Sequence, residues 1–241
     1  MINSIKTNYS YFKNTFFLLL ICNHICLGQI EIKSGAENIK EYLDLIKEKN
    51  VGIVANNGSL IRNGSKYIHL IDSLILLGIN IKKVFAPEHG FRGNQDAGEK
   101  ISDQVNNKIK VVSLYGKNRK PKPEDLKNIE ILIFDLQDVG VRFYTYISTL
   151  HYVMEACAEN NIPLIVLDRP NPNSHYIDGP VLNPINKSFV GMHEVPIVYG
   201  MTIGEYAKMI NGEGWLKNSI NCKLKIIPLN NFVHKSNYII P

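Results

Sequence analysis

The sequence lacks the patterns that mark several large classes of protein. Beyond residue 28 it has no Cys-x-x-Cys pair and no His-rich metal spacing, which argues against a zinc module. It also has no block of Lys and Arg with interleaved aromatic residues, so nucleic-acid binding is not expected. What remains is 241 residues with 45% hydrophobic content and a net charge of +5. This composition is that of an ordinary globular protein with one large domain or two small ones.

The first 28 residues have the pattern of a secretory signal peptide. Two lysines precede the apolar stretch 15–22, and small residues lead to a predicted cleavage site after Gly28. The apolar stretch is too short to span a bilayer. Cleavage would leave Cys157 and Cys222, which we interpret as small buried hydrophobic residues. We therefore expect a secreted or periplasmic protein without a stable membrane span.

Apolar runs that alternate with amphipathic stretches predict an α/β fold with a Rossmann-like, mostly parallel sheet. The predicted strands are 51–55, 82–86, 109–114, 129–134, 163–167 and 222–229. The predicted helices are 36–49, 67–77, a short one from 123, 145–159 and 202–211, the last with a capping box. The segment 173–196 is punctuated by Pro and Gly, and we expect a loop there.

We expect three segments along the chain. They are a signal peptide at 1–28, a Rossmann-like catalytic domain at 29–180, and the start of a smaller α+β domain at 181–241. The sequence stops soon after a predicted strand without a closing helix, which suggests a fragment of a longer protein.

Polar residues follow four of the predicted strands. Because the carboxyl ends of parallel strands meet at one edge, where open α/β sheets bind ligands, we expect a functional cleft there. The residues concerned are Asn56 and Asn57, Glu88 and His89, Asp135 and Asp138, and Asp168 and Arg169.

The segment 86–100 has the strongest functional pattern. Glu88 opens a charged, glycine-punctuated loop directly after a strand, where a carboxyl group can be partly desolvated and tuned for acid–base work. The alternative is a salt bridge from Glu88 to Arg92 or Lys100. The loop lacks the GxxxxGK[ST] pattern, so nucleotide binding is not expected.

Other polar residues have both a functional and a structural interpretation. Tyr144 and Tyr146 could contact a sugar or pack at the start of a helix. Asp168 could pair with the arginine that follows it or cap a turn. His193 and Glu194 could serve acid–base chemistry, whereas two adjacent residues rarely bind one metal ion.

Several long motifs, in one order, resemble a known family. They are VFAPEHGFRG (84–93), DAGEK (96–100), FDLQDVGVRFYTY (134–146), LDRPNP (167–172), SFVGMH (188–193) and PIVYGMTIGE (196–205). Together they resemble the exo-β-N-acetylmuramidases of bacterial cell-wall recycling, over about residues 51–241. The resemblance implies a secreted glycosidase that releases terminal N-acetylmuramic acid from the non-reducing ends of peptidoglycan fragments. It also implies a Rossmann-like domain and a smaller domain that lines the cleft.

The resemblance and the chemistry of glycoside hydrolysis assign catalytic roles. The reaction needs a carboxylic acid to protonate the leaving oxygen and usually a second carboxylate. We assign Glu88 as the general acid and Asp138 as its partner, with Glu194 in reserve. The acetamido oxygen of the sugar can act as the nucleophile instead, and a carboxylate or tyrosine would then orient it.

Muramic acid has a lactyl carboxylate, so a cationic side chain should mark its subsite. The candidates are Arg92, Arg142 and Arg169, although the last two could equally pair with a neighbouring Asp. The other candidate substrate-binding residues are Asn56, His89, Tyr144, Tyr146, Asp168, Asn171 and His193.

Two rival hypotheses remain open at this point. One is a non-catalytic protein that binds peptidoglycan fragments on the same fold. The other is a metal-assisted hydrolase that uses His89, Asp138, Asp168 and His193. Under the first-ranked hypothesis the partners are muramyl saccharides, and neither a metal nor a cofactor is expected.

Overall fold

The computed structural model describes residues 31–87 and 109–240. Residues 1–30, 88–108 and 241 lie outside the described part of the chain, so the predicted signal peptide, Glu88, His89 and Arg92 do too. The described residues from Ile32 onward belong to one compact unit.

Within the described residues, six strands form one sheet and two form a hairpin. The strands are β1 (Val51–Ala55), β2 (Leu60–Asn63), β3 (Lys66–His69), β4 (Ile81–Ala86), β5 (Lys110–Ser113), β6 (Ile131–Asp135), β7 (Leu164–Leu167) and β8 (Leu224–Ile227). The sheet has the order β5-β4-β1-β6-β7-β8, and every neighbouring pair in it is parallel. The predicted Rossmann-like α/β class is therefore confirmed.

Helices cover both faces of this sheet. The α-helices are α1 (Leu43–Ile46), α2 (Leu70–Leu76), α3 (Pro123–Leu126), α4 (Tyr146–Glu159) and α5 (Ile203–Gly212). Short 3₁₀ helices span Gly35–Glu37, Ile39–Glu41, Pro184–Asn186 and Lys217–Ser219. No helix in the described ranges is long and apolar enough to cross a membrane.

The central strands β1 and β6 are apolar except for Asp135 at the end of β6, because both of their faces are buried. Val54 and Phe134 belong to the hydrophobic cluster that contains buried residues of α4 and α5. Ile53 and Ile133, their neighbours along the strands, belong to the opposite cluster, which contains buried residues of α1 and α2. Alternation along each strand thus supplies two cores.

Two predicted helices need correction. The stretch 36–49 forms two 3₁₀ turns and α1, and the fully buried Tyr42 between them donates a hydrogen bond to the carbonyl oxygen of Ala36 at 2.9 Å. The predicted helix 67–77 begins only at Leu70. Residues before it form β3, which pairs with β2 across the two-residue turn Gly64-Ser65. Such a Gly-x turn between apolar runs is a hairpin signal.

The predicted domain boundary at residue 181 does not coincide with a break in the described structure. β8 comes from the segment assigned to a second domain, yet it pairs in parallel with β7, with Leu224 opposite Leu164. The segment also supplies α5 to one of the two cores. Residues on both sides of the boundary therefore build one sheet.

Candidate functional site

A cleft of about 430 Å³ lies at the carboxyl edge of the sheet, where β1 and β6 end. Its walls come from the residues after these two strands, from the segment that leads into α4, and from the end of the chain. The lining residues are Asn56, Asn57, Gly58, Gln137, Val139, Phe143, Tyr144, Thr145, Tyr146 and Ile240. β4 ends beside β1 at the same edge, and Pro87 is the last described residue before Glu88.

The cleft combines aromatic rings with amide side chains. Phe143 and Tyr144 are each 54% exposed, and Tyr146 is half-buried at the start of α4. Asn56, Asn57 and Gln137 add amide groups to the same walls. Ligand sites in proteins are commonly lined in this way, with apolar area for binding and a few polar groups for orientation.

Asn56 shapes the chain where β1 enters the cleft. Its Oδ1 accepts a hydrogen bond from the backbone N–H of Gly58 at 3.0 Å, which is the bond of an Asx turn. Its own N–H donates to Ser59 Oγ at 2.9 Å. The structure thus brings together Asn56, Tyr144 and Tyr146 of the candidate substrate-binding residues.

Gln137 also lines the cleft, and our sequence analysis missed it. The side chain is 5% exposed, and its Nε2 donates to the carbonyl oxygens of Asp138 at 2.8 Å and Pro170 at 2.9 Å. The sequence analysis considered only the carboxylates of this segment. The available signal was position alone, since Gln137 comes two residues after the end of β6.

Asp138 does not line the cleft. It is 6% exposed, and its Oδ2 accepts hydrogen bonds from the Gly140 N–H at 2.9 Å and from the Tyr199 hydroxyl. Its Oδ1 has no partner within the described ranges. Burial raises the pKa of this carboxyl, while the hydrogen bonds from Tyr199 and Gly140 oppose the rise. Gly140 has φ +76°, a left-handed conformation that suits glycine. The hydrogen bond from its N–H to Asp138 therefore stabilises a turn that lies between the cleft residues Gln137 and Val139 on one side and Phe143 on the other.

Asp168 binds the N-terminus of α5. It accepts hydrogen bonds from Thr202 Oγ1 at 2.8 Å and from the Gly204 N–H at 2.7 Å. A Cβ atom at Gly204 would lie 2.7 Å from Asp168 Cγ, so glycine permits this approach. Burial raises the pKa of Asp168 to about 6, and the bonds from Gly204 and Thr202 oppose the rise. Of the two structural interpretations of Asp168, capping therefore fits. The prediction was a capped turn, and the capped element is a helix.

Arg169 pairs with Asp135 instead of Asp168. Its Nε and Nη2 donate to the two carboxylate oxygens of Asp135 at 2.6 and 2.9 Å, and Nη2 also lies 3.1 Å from the carbonyl oxygen of Leu60. The two side chains are 1% and 0% exposed. The only donor of Arg169 that binds the Asp168 carboxylate is its backbone N–H, at 3.0 Å. The guanidinium is thus engaged in a buried bidentate pair.

Arg142 and Asn171 organise the loops around the cleft. The Nη1 of Arg142 donates to the carbonyl oxygens of Pro180 at 3.0 Å and Val195 at 2.5 Å. Arg142 is 6% exposed, and its Nε has no partner in the part of the chain that the structure describes. Asn171 donates to the carbonyl oxygen of Met201 at 2.8 Å.

His193 and Glu194 lie in different environments. His193 is 1% exposed, with Nε2 2.9 Å from His151 Nδ1 and Nδ1 3.0 Å from the Tyr206 hydroxyl, and its ring stacks on Trp215. Burial lowers the pKa of His193 to about 3, so its ring is neutral at ordinary pH. Glu194 is exposed and is not among the cleft residues.

The described residues contain no group of three or more His, Cys, Asp or Glu side chains that could hold a metal ion. Asp138, Asp168 and His193, which the metal hypothesis invoked, each have separate protein partners. Cys157 and Cys222 are buried free thiols, which confirms their interpretation as core residues.

A parallel α/β sheet with a polar and aromatic cleft at its carboxyl edge is the architecture of the Rossmann-like class, in which this edge is the usual place of ligand sites. Residues 51–240 match the family model described as exo-beta-N-acetylmuramidase NamZ, N-terminal. Because this match covers most of the chain, the chain belongs to that family.

The relatives confirm this assignment at the level of sequence and fold. The peptidoglycan beta-N-acetylmuramidase NamZ of Bacillus subtilis (strain 168) is 39% identical over 212 residues, which cover 86% of this chain and 50% of the relative. Two crystal structures of DUF1343 family proteins from Bacteroides fragilis are also similar. Their TM-scores are 0.76 and 0.77, at 42% and 41% identity, and the matches cover 88% and 87% of this chain. They cover 55% and 53% of those chains, so this chain spans about half the length of its relatives.

Proposed function

We propose that this chain carries the sugar-binding cleft and the general acid of an exo-acting glycoside hydrolase. The reaction is the release of terminal β-linked N-acetylmuramic acid from peptidoglycan fragments. The observation that carries the proposal is the aromatic and amide-lined cleft at the carboxyl edge, in a chain of the NamZ N-terminal family. The name of the Bacillus subtilis relative supports the same reaction.

The cleft suits a pyranose ring. Its volume of about 430 Å³ lies in the usual range for small-molecule sites. The exposed faces of Phe143 and Tyr144 offer apolar surface to the C–H face of a sugar. Among the lining amides, the exposed Asn57 offers donors and acceptors to its hydroxyl and acetamido groups, while Asn56 and Gln137 are buried and hydrogen-bonded within the protein.

We assign Glu88 as the general acid. It follows Pro87 directly, and β4 ends there beside β1, whose continuation forms part of the cleft. A carboxyl group delivered from this edge could protonate the leaving oxygen of a sugar in the cleft.

Asp138 is the proposed second carboxylate. Its position behind the cleft wall, with hydrogen bonds from Gly140 and Tyr199, favours an orienting role over direct attack on the sugar. The acetamido oxygen of the substrate would then supply the nucleophile. Glu194 stays in reserve, since it is exposed and outside the cleft lining.

The lactyl carboxylate needs a cation, and the described arginines differ in what they can offer. Arg169 uses Nε and Nη2 on Asp135, whereas Arg142 retains an unpartnered Nε and, among the described residues, has no carboxylate partner. We therefore place Arg142 and Arg92 ahead of Arg169 for the lactyl group.

The signal pattern at residues 1–28 supports export, and the exported protein would begin at Gln29.

The decisive experiment compares two chromogenic substrates, a β-N-acetylmuramide and the β-N-acetylglucosaminide that lacks the lactyl group. We expect colour release from the first only. Glu88→Gln should lower kcat by roughly 100-fold or more, since general acids contribute about 10²–10⁴-fold. The exposed Glu213→Gln is the matched control and should keep the full rate. Full activity of Glu88→Gln would remove Glu88 from the mechanism, and fragment binding without turnover would favour the non-catalytic hypothesis.

A further inference from the structure

A cationic and aromatic surface, which we call the basic patch, consists of Arg119, Tyr152, Lys187 and Phe189. The guanidinium carbon of Arg119 lies 4.2 Å from the centroid of the Phe189 ring, which is the geometry of a cation–π contact. Tyr152 stacks on the same phenylalanine, with ring centroids 6.1 Å apart. Arg119 and Lys187 are exposed, and the two rings are half-buried. The aromatic stack therefore holds a guanidinium group in place at the protein surface.

The basic patch adjoins the cleft along one face of α4. Thr145 lines the cleft directly before this helix, and Ser148 and Tyr152 follow it at helical spacing on the same face. Ser148 Oγ donates a hydrogen bond to the carbonyl oxygen of Phe189 at 2.7 Å, so the segment that contains Phe189 lies on this face too. From Thr145 to Tyr152 the helix rises about 10 Å.

The two segments that supply the cations contain no acidic residue. Residues 114–122 include four Lys or Arg side chains and no Asp or Glu, and residues 179–193 include Lys187 and no Asp or Glu. Among the described residues, neither Arg119 nor Lys187 forms an ion pair. Their positive charges are thus available to an anionic ligand.

The carboxylates of α4 do not compensate these charges, because a third cation uses them. Lys120 Nζ lies 2.6 Å from Glu155 Oε1 and 2.7 Å from Glu159 Oε2, and these are the two acidic residues of the helix. Lys187 is near the same helix. Burial lowers the pKa of His151, and the charge of Lys187 lowers it further while Glu155 opposes the shift.

A carboxylate is the anion that fits this surface best. The planar guanidinium group of Arg119 matches the two oxygens of a carboxylate, and stacking on a ring reduces the entropy that binding would cost. The proposed substrate carries carboxylates at a regular spacing, since N-acetylmuramic acid alternates with uncharged N-acetylglucosamine in a peptidoglycan chain. When the terminal muramic acid occupies the cleft, the next lactyl group lies a disaccharide further along, a distance comparable to that from Thr145 to Tyr152.

We propose that the basic patch is a second subsite, at which Arg119 and Lys187 bind the lactyl carboxylate of the next muramic acid in a longer peptidoglycan fragment. The inference rests on the proposed function, because it extends the substrate beyond the sugar in the cleft. It assigns to this chain a preference for fragments with at least two muramic acids over the muramyl disaccharide.

The test is calorimetric titration of the protein with three thio-linked fragments, whose sulfur linkages resist hydrolysis. They are the muramyl disaccharide, the tetrasaccharide with a second muramic acid, and the same tetrasaccharide with its inner lactyl carboxylate converted to a primary amide. We expect the acidic tetrasaccharide to bind about 5-fold more tightly than the other two, the upper end for an exposed charge pair. The difference should shrink at high salt, which screens exposed charges.

Three variants assign the effect to the patch. Arg119→Gln and Lys187→Gln should each reduce the preference for the acidic tetrasaccharide and leave the affinity for the disaccharide unchanged. Both side chains are exposed, so we expect both variants to fold, which circular dichroism checks. Lys223→Gln is the matched control. It removes one exposed charge directly before β8, at the opposite edge of the sheet, and should keep the full preference.

The outcomes separate this inference from the proposed reaction. Equal binding of the acidic and the amidated tetrasaccharide would overturn the second subsite even if the muramidase activity were confirmed. An undiminished preference in the double variant of Arg119→Gln and Lys187→Gln would overturn it too. A carboxylate-dependent preference that both variants weaken would support the subsite even if the protein hydrolysed no muramide.

Discussion

The buried pair between Arg169 and Asp135 provides a sharp test of the structural argument. The guanidinium donates to both carboxylate oxygens at 2.6 and 2.9 Å, and neither side chain has appreciable contact with solvent. Arg169→Met keeps much of the apolar volume but leaves the Asp135 carboxylate buried without its cation. The expected result is a large loss of stability.

The magnitude follows from burial. Removing one partner of a buried ion pair costs about 3–5 kcal/mol, because the remaining charge cannot be solvated. An exposed pair contributes only about 0–1 kcal/mol. Since the side chains of Arg169 and Asp135 are 1% and 0% exposed, we expect the higher range for Arg169→Met.

The assay is urea unfolding at constant pH, followed by circular dichroism and by the fluorescence of Trp215, the single tryptophan. The double variant Asp135→Asn with Arg169→Met removes both charges, so it should recover much of the loss and show strong non-additivity. A cost below about 1 kcal/mol for Arg169→Met would refute the reasoning, since exposed pairs behave that way. Strict additivity in the double variant would also refute it.

The remaining predictions concern pH and thiol chemistry. The pKa of His193 is lowered by burial to about 3 in the folded state, so its contribution to stability should be lost as pH falls below about 6.5, at up to about 1.4 kcal/mol per pH unit. Asp168 acts in the opposite sense. Its folded pKa is raised to about 6, so stability from this group should fall as pH rises from about 4 to 6. The free energy of unfolding of Asp168→Asn should therefore fall more steeply than that of the wild type as pH falls from 6 to 4. Urea unfolding at pH 4, 5 and 6 measures this, and an equal fall in the two proteins would contradict the prediction. Burial raises the pKa of Cys222 to about 12 and that of Cys157 well above its usual value, so both thiols should resist a thiol reagent until urea unfolds the protein. Rapid labelling of the native protein would count against the described core.

The strands of the sheet agree with the sequence-based predictions better than the two helices predicted at 36–49 and 67–77. Strand β1 and residues 131–134 of β6 are continuously apolar because helices bury both faces of these strands, and this burial is why the sequence pattern predicts them. The stretch 36–49 shows helical periodicity, but the chain forms two 3₁₀ turns and the four-residue helix α1 there. Local periodicity does not contain that information.

The same division applies to the candidate site. The position of Asn56 followed from the rule that parallel strands end at one edge, whereas Tyr144 and Tyr146 were candidates as aromatic sugar contacts; all three line the cleft. The hydrogen-bond partners of the charged residues could not be predicted from the same rule. Arg169 stands next to Asp168 in the chain but binds Asp135, which lies 34 positions away. Of the two alternatives for Asp168, side-chain pairing with Arg169 was wrong, whereas capping fits because Asp168 binds the N-terminus of α5.

Patterns in the amino-acid sequence alone predict the α/β class, the edge of the sheet at which the cleft lies, and the family to which the chain belongs. These properties depend on hydrophobic period and on motif order, which are local or one-dimensional. The tertiary structure alone decided which polar groups face the cleft and which are used inside the protein. Gln137 is among the residues that line the cleft, whereas Asp138 beside it is not and accepts hydrogen bonds from Gly140 and Tyr199. A buried polar group needs a hydrogen-bond partner, and packing brings that partner from a distant part of the chain. The spacing of residues in the sequence does not specify which partner it is.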